Sequence, residues 1–330
     1  MFQGFARVWS PVTLAKNLQK KPLGLLFAGE KLVFFRDDKG QAHALIDRCP
    51  HRGVKLSLGR VTEKGCLECP FHAWQFDGAG KTTYIPLNPD AKRENYSAMA
   101  LPVREIGGVL WVYTDASGAT PPQEPTIPDA LTNDALAFSY LEVEWKAHWT
   151  RAMENMLDSP HVPFLHATTI GRFVRPYLKP DSRMDIEWEE KDFGGETTSS
   201  VDGRSERGAV LQFYRPNMMV LHIPVPNQTF RMHAFCIPID DERVRMMIIG
   251  ARSFARLSLL NPYFNHTNAK IAEQDRAVVE SSDPVIVPPA GNEQSVRTDK
   301  ATLRFRKYYF EQLAKSSVEP PKRHLGVVKE

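Results

Sequence analysis

Short runs of alternating apolar and polar residues, broken by glycine, aspartate and proline, fill the first third of the chain. LVFFRDD, HALIDR, CLECPF, WQFDGAGKTTYI and VLWVYTD read as β-strands between turns. The stretch 118–131 then carries four prolines and no apolar period, which marks a linker. Past it, FSYLEVEWKAHW has strand character and RAMENMLDSPHVPFLHATT is largely helical in period. GAVLQFY, MMVLHI, FRMHAFCI and RVRMMIIG return to strand. Two helical segments follow, around Asn268–Ser281 and Asp299–Ala314, with Asp299 as the N-cap of the second. The pattern predicts an α+β chain: an all-β domain over 1–117, the linker 118–131, and a mixed domain over 132–330. There are no internal repeats.

Composition narrows the function classes. The 330 residues are 42% hydrophobic and 25% charged, which supports cores of ordinary size. The net charge of +3, from 42 basic and 39 acidic side chains, is too even to mark nucleic acid or an anionic membrane as a partner. No apolar run approaches the ~18 residues that span a bilayer. MFQGFARVWSPV lacks the pattern of an export signal, so a cytoplasmic enzyme is expected. Four cysteines are no disulfide framework; in a reducing compartment, cysteines clustered with histidines read as metal ligands.

Such a cluster exists. RCPHRGVKLSLG holds Cys49-x-His51 and LECPFHAWQF holds Cys69-x-x-His72, with seventeen residues between the halves. Each half lies in a turn-like stretch between strands, so two loops can close over one centre. Two thiolates and two imidazoles suit either a structural zinc or a [2Fe–2S] cluster in which two histidines hold one iron and two cysteines the other. Zinc fingers usually pair Cys with Cys and His with His, whereas here each half pairs Cys with His. That order resembles the Rieske ferredoxin domain, with CPHRG and CPFHAW as its two cluster-binding loops. Substituting imidazole for thiolate raises the reduction potential into a range of roughly −150 to +300 mV, suited to accepting and passing on an electron. Cys66 and Cys236 read as small buried residues. DGAGKTTY imitates the end of a phosphate loop, but the required glycine is replaced by Gln75, so Asp77–Gly80 reads as a hairpin turn.

A second constellation follows in MENMLDSPHVPFLHATT: Asn155-x-x-Asp158-x-x-His161-x4-His166. Two histidines five apart, with a turn disrupted near Pro163, can converge on one metal. A 2-His-1-carboxylate face with open positions is typical of Fe(II) oxygenases. The third ligand has four candidates in KIAEQDRAVVESSDP: Glu273, Asp275, Glu280 and Asp283.

Together the two constellations resemble the terminal oxygenase component of the Rieske non-heme iron oxygenases over nearly the whole chain. The length is similar to the smaller α-only O- and N-demethylases and hydroxylases. The resemblance implies a Rieske domain followed by a helix-grip domain, a curved antiparallel sheet around a long helix. It implies His161, His166 and Asp275 as iron ligands and Asn155 as a nearby group. Asp158 would be a bridge, touching His161 on one side and His72 of a neighbouring subunit on the other, in a head-to-tail homotrimer. A carboxylate behind a ligating histidine fixes its orientation and raises its basicity, which suits that role.

The implied activity is O2-dependent hydroxylation or oxidative O-/N-demethylation of a small, aromatic or polycyclic substrate. The alternatives are ring cis-dihydroxylation and, in another class, a pure electron carrier. Electrons from NAD(P)H would come through a separate reductase or ferredoxin, because the chain shows neither a G-x-G-x-x-G fingerprint nor cysteines for a plant-type cluster. Strand residues Phe213, Met218, Val220, Met232 and Ala234 are candidates for the substrate wall, alternation leaving open which side faces inward. His222 and His233 read as structural histidines.

Overall fold

The computed structural model describes residues 1–205 and 209–319. The described residues divide into two compact units, one formed by 1–125 with 313–319, the other by 126–205 with 209–312. This differs from the expected boundaries at two places, for traceable reasons. The first half of the proline-rich stretch is fastened to the first unit: Trp9 Nε1–H donates to Gln123 O at 2.7 Å, and Arg104 pairs with Glu124 at 2.7 Å. The tail returns because Gly4 N–H donates to Ser316 O at 2.8 Å and Val318 N–H to Met1 O at 2.9 Å. Residues 320–330, included in the expected second domain, lie outside the described residues.

The first unit is built from short antiparallel strands. β1 (Trp9–Leu14), β10 (Val103–Ile106) and β11 (Val109–Tyr113) form one sheet; β2 (Leu23–Phe27), β3 (Glu30–Arg36), β4 (Ala42–Ile46) and β9 (Ala100–Leu101) form another. The third is a ladder of two- and three-residue strands: β5 (Arg60–Val61), β6 (Leu67–Glu68), β7 (Gln75–Phe76) and β8 (Thr82–Tyr84). The turn expected at Asp77–Gly80 joins β7 and β8, where Asp77 Oδ1 accepts the N–H groups of Ala79 and Lys81 and Gly80 takes φ +77°.

The second unit is a seven-stranded antiparallel sheet in the order β12-β18-β17-β16-β15-β14-β13. Its strands are β12 (Ala137–Trp145), β13 (Met184–Lys191), β14 (Gly194–Val201), β15 (Val210–Tyr214), β16 (Met218–His222), β17 (Phe230–Pro238) and β18 (Val244–Arg252). Sequence explains the order. FRMHAFCIP and VRMMIIGAR are apolar on both faces and take the middle, whereas MDIEWEEK alternates charge with apolar residues and takes an edge.

One face of this sheet is covered by α1 (Trp149–Leu157), α3 (Asn261–Val279) and α4 (Lys300–Tyr308). Phe213 packs edge-on against Phe305 and Tyr308, Arg252 lies 4.0 Å over the Phe264 ring, and a Cβ at Gly250 would lie 3.7 Å from Asn268 Nδ2. α3 begins seven residues earlier than its apolar period suggested. Asp299 does sit at the N-cap of α4, but its carboxylate accepts Val296 N–H at 2.8 Å instead of capping α4. Among the described residues no helix is long and apolar enough to cross a membrane.

α1, α4 and the loop between α3 and α4 are tied by a nearly buried charge network. Arg151 donates to Pro284 O at 2.7 Å and pairs with Glu293 at 2.8 Å, while Arg306 pairs with both Glu154 and Glu293. Two guanidinium groups and two carboxylates balance. Deleting one carboxylate leaves the cations under-compensated, so Glu154→Leu is expected to cost about 3 kcal/mol in urea unfolding. A loss below about 1 kcal/mol would class the network with surface pairs. Arg151, seconded by Arg306, holds the Glu293 carboxyl below the usual range despite burial. Its contribution is therefore full above the ordinary glutamate pKa of about 4.3 and fades as pH falls through the lower folded value. Glu293→Gln should flatten the fall of Tm below about pH 4; an unchanged slope would contradict this.

Candidate metal centres

The two Cys–His loops of the first unit share one backbone design. Cys49 N–H donates to Val54 O and Gly53 N–H to Cys49 O; in the second loop Cys69 N–H donates to Trp74 O and Ala73 N–H to Cys69 O. Each loop thus closes by the same i+5 and i+4 pair, and the i+4 residue is left-handed in both, Gly53 at φ +72° and Ala73 at φ +53°. An alanine there bears strain that glycine avoids, the kind of strain tolerated where a loop must hold a set shape.

The loops sort their ligands by depth. Cys49 and Cys69 are buried among Val33, Phe35, Leu56 and Leu67. Burial, with the Cys69 thiol alongside, pushes the Cys49 thiol up to about 11. Thiolates at this depth fit only beside cations. His51 is half-buried and stacks flat on Trp74, ring centroids 4.6 Å apart, while His72 is exposed with its ring 4.7 Å from His51. Burial and the nearby His72 and Arg52 lower the His51 pKa, favouring the neutral, ligating form.

The four residues do not gather about one point. Among the described residues, the one set of three or more His, Cys, Asp or Glu with all donor atoms within 4.8 Å is His161, His166 and Asp275. A tetrahedral zinc at ~2.0–2.3 Å from its ligands needs a tighter Cys2His2 group than these loops supply. A two-iron cluster, cysteines inward and histidines at the rim, fits them. Cys66, expected to be buried, is half-exposed beside Thr83 because it lies in the turn between β5 and β6; Cys236 is fully buried, as expected.

The second centre sits within the second unit. α1 ends at Leu157 with Asp158 as its C-cap, two residues before Pro160, and a short helix α2 (Val162–Leu165) follows, so that His161 and His166 flank one turn. Their Nε2 atoms are 3.3 Å apart. Asp275 comes from α3, on the stripe Asn268, Ile271, Ala272, Asp275 and Val279 that faces inward. Its Oδ1 lies 3.0 Å from His166 Nε2 and 3.6 Å from His161 Nε2, is buried, and accepts no well-aligned hydrogen bond.

Three lone-pair atoms facing one point form a cation site. Burial lowers the His166 pKa, yet hydrogen bonding and charge from the Asp275 carboxylate, with Gln274 behind the ring, give a net rise. Asp158 lies behind His161, Oδ2 to Nδ1 3.5 Å, with a third of its side chain exposed. Asn155 directs a buried, unpartnered Nδ2 on the last turn of α1. The other carboxylates considered as ligands are occupied or exposed: Glu273 pairs with Arg276, Glu280 accepts Lys146 N–H at 2.9 Å, and Asp283 faces solvent.

The strand register divides the residues expected at the substrate wall between the two faces of the sheet. Phe213, Met219, Ala234, Ile248 and Leu141 align across the sheet, as do Leu211, Leu221, Met232, Gly250 and Ser139; both rows face the helices. Val220 and His233 align on the reverse face, as does Met218. Phe213, Met218, Val220 and Met232 therefore cannot form one surface, since a single residue step reverses direction. Phe213 is consumed by packing on α4. Met219 and Leu221 face the helices, whereas Met218 and Val220 face away from them. His233, fully buried, donates Nδ1–H to Ile249 O at 3.1 Å, the structural role expected.

Comparison with known proteins agrees with these geometries. The chain matches the Rieske [2Fe-2S] domain over residues 8–99 and the vanillate O-demethylase oxygenase C-terminal domain over residues 145–315, just over half its length. It is 30% identical over 292 residues to the chloroplast protein TIC 55 of Pisum sativum, covering 84% of this chain but about half, 52%, of that relative. It is 29% identical over 338 residues to methylxanthine N3-demethylase NdmB of Pseudomonas putida, covering 94% and 90% of the two chains. The solved structure of a Pseudomonas putida CBB5 NdmA mutant with caffeine superposes with a TM-score of 0.80 at 24% identity, over 92% of this chain and 90% of that one. The two loops, the buried 2-His-1-carboxylate group and both family matches place the chain in the Rieske non-heme iron oxygenases.

Proposed function

We propose that the chain is a terminal oxygenase that hydroxylates or oxidatively demethylates a small, largely apolar organic molecule. The observation that supports this most directly is the convergence of His161, His166 and Asp275 on one buried point. Bound there, Fe(II) supplies O2 activation, and a [2Fe–2S] cluster held by Cys49, His51, Cys69 and His72 supplies single electrons. The remaining work falls to side chains. Asp158 stands 3.5 Å behind the outer nitrogen of His161, close enough to orient the ring, and Asn155 stands one helical turn earlier. Leu221, Met219, Met232 and Ala234, on the helix-covered face, exclude water and suit an apolar substrate. Demethylation is favoured within this class by the 29% identity to a demethylase over 94% of the chain.

Electrons from NAD(P)H are proposed to arrive through a separate reductase or ferredoxin. The exposed His72 and the partly exposed Asp158 are both free to face a neighbouring protomer, which supports a head-to-tail homotrimer with Asp158 as the bridge.

Two variants test this reading. Asp275→Ala should lose the mononuclear iron and keep the Rieske absorption; unchanged iron content would move the ligand elsewhere. Asp158→Asn should keep both metal centres while reductase-driven turnover falls by roughly 10–100-fold or more. Normal turnover with both centres intact would remove Asp158 from the electron route.

A further inference from the structure

The two histidines of the proposed mononuclear site have chemically different groups behind them, and only that of His166 is hydrogen-bonded to the ring. His161 Nδ1 faces the Asp158 carboxylate, whereas His166 Nδ1 lies 3.0 Å from Oε1 of Gln274, a neutral carboxamide. Gln274 immediately precedes Asp275 on α3. The pair brackets one imidazole: Asp275 Oδ1 is 3.0 Å from Nε2 and Gln274 Oε1 is 3.0 Å from Nδ1.

The carboxamide is itself anchored. Its Nε2 donates to Thr168 Oγ1 at 3.4 Å, and its Oε1 also accepts the Thr169 hydroxyl at 3.0 Å. The Thr169 hydroxyl also lies 3.3 Å from His166 O. With the amide turned this way, Oε1 can only accept, so Nδ1 must carry the proton and Nε2 presents a lone pair to the metal point. A ligating histidine needs its outer N–H engaged for its tautomer and tilt to be fixed.

We propose that Gln274 is a positioning residue that sets the tautomer and orientation of His166 for metal binding. This rests on the reading of His161, His166 and Asp275 as a metal site.

The test is Co(II) binding by the full chain with its cluster retained and its mononuclear site emptied, followed by equilibrium dialysis and elemental analysis. Gln274→Leu should bind Co(II) roughly 10–100-fold more weakly than the unsubstituted chain. Its metal-free Tm should fall by only a few degrees, roughly 2–6 °C, because the side chain is half-buried and leaves no large cavity, although His166 Nδ1 loses its partner. Gln274→Glu, which keeps an acceptor at the same reach, should recover most of the affinity. Equal Co(II) affinity in Gln274→Leu would overturn the proposal, as would a Gln274→Glu variant no tighter than Gln274→Leu. If the unsubstituted chain itself binds no Co(II) that Asp275→Ala abolishes, the metal-site reading fails and the role of Gln274 falls with it.

Discussion

The second unit is organised around a buried aspartate that has no business on an apolar helix stripe unless a cation joins it. Asp275 lies in step with Ile271, Ala272 and Val279, so the packing that seats α3 also drives a carboxylate out of water. An isolated carboxylate at that depth is costly, and two imidazole nitrogens bring lone pairs and not a compensating charge. The divalent ion proposed among the three would resolve the conflict, and the fold keeps the three together. The break between α1 and α2 puts His161 and His166 on one point, α3 delivers Asp275, and the Arg151–Glu154–Arg306–Glu293 network holds α1 to α4 and to the 284–293 loop.

The first unit solves a different problem with the same economy of means. Two loops of like hydrogen bonding bury two sulfurs and leave two imidazoles near the surface. An electron carrier needs that polarity: a sheltered interior that tunes the potential and an accessible edge through which the electron leaves. His51 is held flat by Trp74, while His72 is the exposed edge.

Much of this was legible in the sequence, and the exceptions have physical causes. The four cluster ligands and the two histidines sit in tight local spacings, so short motifs reveal them. Asp275 was one of four nearby carboxylates by motif; its helical step with Ile271 and Ala272 is the signal that separates it from Glu273 and Glu280. The substrate wall was not legible, because β-alternation gives two faces without saying which is covered. Register then placed Met219 and Leu221, not Met218 and Val220, toward the helices. Gln274 left no mark at all, since a glutamine beside an aspartate on a helix is ordinary until the ring it touches is known. The return of the tail and the fastening of Gln123 left no sequence signature, because the backbone bonds at Met1 and Gly4 and the Trp9 indole bond join residues far apart in the chain.

The account stands on two distinct metal centres in one chain, and the iron and acid-labile sulfide content of anaerobically purified protein tests that most directly. About three iron and two sulfide per chain is the expected result, two of the iron atoms with the sulfide in the cluster and one at His161, His166 and Asp275. Zinc without sulfide would contradict the account, and about two iron with two sulfide that additional Fe(II) does not raise would remove the second centre.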